Sequence, residues 1–197
     1  MAGKRISTLT LLLGVGLIGG MQGQGTETPT RHGSRQPIQV ASSKYEFSVA
    51  LPPGWFVLRG GALPILANYP PEKALPQWHL PHGGAIIELV LCPTGGPYPK
   101  EPTVESCMEH QFAIEGAGIT LQEKAPGPPS LGPAEATLSA GEQVPLGTPR
   151  QILHLWTVLW RYQGRVIGAQ LSYVKGEPDR HYKAVLLELV RSFQPIR

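Results

Sequence analysis

Apolar residues occupy every second position from Tyr45 to Leu51, with Phe47 and Val49 between them and Glu46, Ser48 and Ala50 alternating. Period two places one set of side chains on one face, so the stretch predicts a β-strand with one buried face. Pro52 and Pro53 carry no N–H for a ladder and must end it. Gly54 supplies a turn, and Trp55-Phe56-Val57-Leu58 restarts as a second strand, expected beside the first. Leu63–Tyr69 is a weaker strand candidate, and residues 70–84 (PPEKALPQWHLPHGG) read as a loop. Ala85–Cys92 is almost continuously apolar, which predicts a strand buried on both faces. Thr103 then caps a helix that Gly116 or Gly118 stops, with Val104, Cys107, Met108 and Phe112 near one face. Ile119–Ala125 and Ala134–Ala140 follow as strands around the turn-rich PGPPSLGP.

The clearest pattern is Gln151–Tyr162 and Arg165–Lys175 about Gln163-Gly164, a tight β-hairpin. Setting Tyr162 opposite Arg165 pairs Trp160 with Ile167, Val158 with Ala169, Trp156 with Leu171 and His154 with Tyr173. That face is core-like. The other carries Leu155, Leu159 and Val166 beside Thr157, Arg161 and Gln170, so it also needs a cover. Tyr182, Val185, Leu186, Leu189, Val190 and Phe193 recur at helical spacing, giving a last helix over about 178–193 that Pro195 ends. The elements predict an α/β (α+β) domain: an antiparallel central sheet with helices on both faces, an α/β/α sandwich.

The first residues have a different pattern. Lys4 and Arg5 precede an apolar run, Ile6–Ile18, and the small-residue text GGMQGQG. This is the layout of a Sec-type signal peptide, expected over residues 1–25 with cleavage after Gly25. An uncleaved anchor is the alternative, although the run falls short of the roughly 20 apolar residues that a span requires. Residues 26–37 are polar and aperiodic, a disordered leader, and 38–197 form a single domain. The expected location is secreted or periplasmic, with no membrane span after cleavage. The formal charge of +3 comes largely from Lys4 and Arg5, and no basic run or Arg cluster remains. Nucleic acid is therefore excluded as a partner.

Export changes the reading of the cysteines. Cys92 and Cys107 are the only two, and an even count in an oxidising compartment predicts a disulfide, with two buried thiols as the alternative. A Cys107–His110 nucleophile pair on one helix face is conceivable but competes with that bond. His79 and His82, with Glu72 nearby, are weak metal candidates, because the spacing lies in a Pro/Gly loop and fixes no third ligand. Trp78 in the same loop is a candidate partner contact together with His79 and His82. No G-x-S-x-G, H-E-x-x-H or P-loop occurs, so no catalytic residue and no cofactor is assigned.

FSVALPPGW, the apolar strand before a mid-chain helix, WTVLWRYQGRVIGAQLSYV and the terminal helix ending SFQPI together resemble the PsbP-like superfamily over about residues 38–197. The resemblance implies an α/β/α sandwich that acts as a binding or assembly module, with no functional residue to carry over. The expected function is an exported, non-catalytic module with a protein or envelope component as partner. The alternative is an exported hydrolase whose site is assembled around the 70–84 loop.

Overall fold

The structure is a computed structural model that describes residues 38–196 other than 76–78, 96–99, 115, 145–150 and 177. The expected signal peptide and leader, and Trp78, lie outside the described residues. In chain order the strands are β1 (Gln39–Ser42), β2 (Phe47–Ala50), β3 (Phe56–Arg59), β4 (Ile65–Ala67) and β5 (Ala85–Leu91). Then come β6 (Gly118–Pro126), β7 (Glu135–Gln143), β8 (Leu153–Tyr162), β9 (Arg165–Val174) and β10 (Gln194–Pro195). Helix α1 (Val104–Ile114) lies between β5 and β6, and α2 (Asp179–Arg191) between β9 and β10. The fold is α+β, chiefly antiparallel strands with two helices among the described residues. Seven strands form one sheet in the order β3-β4-β5-β9-β8-β7-β6, and β1-β2-β10 form a second.

The β8–β9 hairpin is the centre of the large sheet, and its register matches the expected one from Tyr162↔Arg165 to His154↔Tyr173. Gln163 and Gly164 both have positive φ, 49° and 72°, as a two-residue turn that follows the strand twist requires. Alternation along β8 divides the core. Trp156, Val158 and Trp160 join Tyr182, Leu186, Leu189 and Val190 of α2, together with Phe47, Val49 and Phe193. Leu155 and Leu159 join Cys107, Met108 and Phe112 of α1, together with Tyr69, Leu80 and Val166. Phe193 anchors the first cluster. Its ring stacks on Phe47 at 5.1 Å and meets Trp160 and Tyr162 edge-on at 5.4 and 5.1 Å.

The Pro-Pro-Gly-Trp corner departs from expectation. Trp55 N–H donates to Pro52 C=O (3.0 Å) and Gly54 has φ 77°, so the turn forms. However, β3 pairs with β4 and lies in the seven-stranded sheet, while β2 pairs with β1 and β10. The corner is a crossover between sheets rather than a hairpin. Helix α1 starts as its sequence dictates. Thr103 Oγ1 accepts from Ser106 N–H (3.0 Å) and Ser106 Oγ accepts from Thr103 N–H (3.1 Å), a reciprocal cap.

Candidate functional site

The 70–84 loop is held at its base by partly buried hydrogen bonds. Asn68, one residue beyond β4, donates from Nδ2 to Gly83 C=O (2.9 Å), and its Oδ1 accepts from Ala85 N–H (2.8 Å). Tyr182 of α2 donates to the same Gly83 carbonyl (3.2 Å). Further along, Gln151 makes two bonds with Leu80, accepting from its N–H (3.1 Å) and donating to its C=O (2.9 Å). Leu80 itself is buried in the α1-side cluster. Between these anchors residues 71–75 and His82 face solvent, and Leu75 is 48% exposed. His79 is half-buried. Among the described residues no group of three or more His, Cys, Asp or Glu converges to hold a metal.

Beside that base lies a cluster that sequence reasoning missed. Asp179 opens α2, and its Oδ1 accepts from Tyr173 Oη and from Trp156 Nε1 (2.6 Å). His154 Nε2 lies 3.9 Å from the same oxygen, its ring stacked on those of Trp156 (5.7 Å) and Tyr173 (5.4 Å). Lys183, one helical turn on from Asp179, places its ammonium 4.6 Å from the Trp156 ring centroid and pairs with Glu123 of β6 at 2.9 Å. Burial pushes the Asp179 carboxyl up, but the bonds from Tyr173 and Trp156 and the nearby His154 and Lys183 outweigh it and hold it below the usual range. The Tyr173 hydroxyl is pushed well above its ordinary value, first by burial and then by its bond to Asp179. Glu142 is held low chiefly by the bond from Lys175, their closest approach being 2.7 Å. The cluster joins β8, β9 and α2, and its carboxylate receives donors rather than addressing a nucleophile. The readable signals were the His154–Tyr173 pairing and an Asp in the first turn of the helix that returns over them. The link between them spans separate elements.

Cys92 and Cys107 are joined in a disulfide with Cα atoms 5.6 Å apart, so Cys107 offers no thiol to His110. An open groove of about 710 Å³ lies at the start of α1 against β6, β7 and β8. Glu105, Gln122, Lys124, Glu135, Thr137 and Arg161 are among its lining residues. Neither His79 nor His82 lines it.

No protein-family model and no curated protein matches the chain. Solved structures share its fold. A point mutant of the protein Mog1 aligns at 14% identity and a TM-score of 0.51, over 82% of this chain and 96% of Mog1. The Saccharomyces cerevisiae Ran-binding protein Mog1p aligns at 12% and 0.50 over the same shares. At these identities the likeness concerns the fold alone. It also corrects the resemblance drawn from sequence. These two neighbours are Mog1 proteins, and membership of the PsbP-like superfamily is not supported. The features that carried that resemblance were a Pro-Gly corner, a hairpin and an amphipathic terminal helix. They are turn chemistry and hydrophobic spacing, which many sequences on such an architecture satisfy.

Proposed function

We propose that this chain is a non-catalytic binding module whose partner is a protein and whose contact surface is the 70–84 loop with the adjoining start of α2. The observation that carries the reading is a loop tied down by Asn68, Tyr182 and Gln151 while Leu75 and His82 stay exposed. Loop residues fixed in advance, as Leu80 and Gly83 are, bind at a lower entropic cost than residues that must be ordered on binding. The fold shared with a Ran-binding protein supports a protein partner. The two core clusters support an α/β/α sandwich, with α1 covering one face of the large sheet and α2 the other. The N-terminal pattern supports export through a signal peptide over 1–25 and a leader over 26–37, so the partner belongs to the periplasm, the cell envelope or the medium. No helix among the described residues is long and apolar enough to cross a membrane.

The test is affinity capture from cell-envelope extract with the 26–197 chain as bait. A partner retained by wild type, lost by at least about tenfold with Leu75→Asp/His82→Ala, and retained by Gln122→Ala in the distant groove is the expected result. Equal capture by the loop variant removes the loop as the surface. The hydrolase alternative requires a cleft at the loop that joins His79 and His82 to a carboxylate. Turnover of ester or glycoside substrates that is lost with His79→Ala would favour it.

A further inference from the structure

Helix α1 packs on β6, β7 and β8, and what lies beneath it is chemically mixed. Leu155 and Leu159 meet Cys107, Met108 and Phe112. Between those two leucines, on the same face of β8, stands Thr157. Ser139 is opposite it on β7 and Gln170 on β9. All three are buried to within about a hundredth of their surface, and Thr157 Oγ1, Ser139 Oγ and Gln170 Oε1 have no hydrogen-bond partner among the described residues. A buried polar group without a partner disfavours the packing that covers it. The helix has 11 residues, a length that is marginal without tertiary support. Among the described contacts that fix it are the Phe112 ring over the bare backbone of Gly141, a bond from Arg161 to Pro102 C=O (3.3 Å), and the Cys92–Cys107 bond from the end of β5 to the second turn of the helix.

We propose that the Cys92–Cys107 bond is a redox latch that holds α1 down on an unfavourable polar row, so that its reduction releases α1 while the rest of the sheet stays folded. The reductant is a dithiol. One of its thiolates attacks a cysteine sulfur and breaks the S–S bond. Its second thiol then closes the mixed disulfide, leaving two protein thiols and an oxidised, cyclic dithiol. Both cysteines are buried, so a thiolate reaches a sulfur only during a local fluctuation around the bond, and reoxidation requires the helix to be seated again. Release would expose Met108 and Phe112 together with Ser139 and Thr157, presenting a different surface in reducing and oxidising surroundings.

Hydrogen–deuterium exchange on the 26–197 chain, oxidised and in excess dithiothreitol, tests this. In the reduced protein the amides of 104–114 should approach unstructured rates, while those of β8 and β9 remain protected by about 10³-fold or more. Thr157→Val, which removes one unpartnered hydroxyl, should restore α1 protection in the reduced protein by about tenfold. The Cys92→Ser/Cys107→Ser variant should match the reduced state without reductant. Protection of α1 equal to that of the hairpin after reduction would overturn the latch. So would simultaneous loss of protection in both, or no gain from Thr157→Val.

Discussion

Asp179 shows how one residue organises its surroundings. Its Oδ1 gathers the Tyr173 hydroxyl and the Trp156 indole N–H, satisfying two buried donors on neighbouring strands from a helix that follows them in the chain. The carboxylate also sits where the α2 dipole favours negative charge. Because its folded pKa is lowered, its contribution is present above the unfolded carboxylate value and is lost as pH falls through the lower folded one. Denaturant melts of wild type and Asp179→Asn should therefore differ at neutral pH and converge as pH drops below about 4. A constant gap down to strongly acidic pH would mean that the ionised carboxylate is not what stabilises the site. Aromatic and aliphatic positions on β8 and β9 were readable from alternation alone. The hub was not, because a helix-opening Asp usually serves only the helix itself.

Among the elements, the hairpin was the most legible. Its register follows from a two-residue turn and two matched alternations, all within 22 residues of chain. It also depends on Gly168, where a Cβ would overlap the Val158 carbonyl oxygen and crowd Leu159. Gly168→Ala should cost about 3 kcal/mol or more, measured by thermal or urea unfolding. A loss below about 1 kcal/mol would show that the strands can move apart there. The helices too were legible, α1 from its Thr103 cap and α2 from its apolar stripe. The β2–β3 connection was misjudged for a physical reason. Pro52, Pro53 and Gly54 specify that the chain turns, but the direction in which β3 leaves is set by β4, its partner in the other sheet. Local turn chemistry holds no information about that pairing.

In the whole molecule, both edges of the large sheet carry irregularities. β3 shifts register between Val57 and Arg59, and β6 between Ile119 and Leu121, where Thr120 is the extra residue. β6 is exposed along nearly all of its nine residues, and it carries Glu123 and Lys124. A bulge and charges on an edge discourage pairing with another chain. Deleting Thr120 should flatten β6 and shift the protein toward dimers or larger species in size-exclusion chromatography. An unchanged elution profile would mean that the charges alone suffice. The antiparallel, α+β character was thus readable from turns and periodicity, while the division of the strands between two sheets was not. The Asp179 site was not, because it depends on contacts between elements that only the folded chain brings together.

The small sheet has a consequence in time. Its central strand, β2, is completed on one side by β10, and Ser192 Oγ accepts from Ala50 N–H across 142 positions of chain. Ile196 N–H reaches Glu46 C=O (2.7 Å) in the same way. A polypeptide that emerges from the ribosome in order has therefore made β1 and β2 long before it makes the segment that closes their sheet. Until the segment through Pro195 has followed, an emerging chain holds an open seam with β2 unpaired on one side. Closure of that seam is the last step in assembling the small sheet.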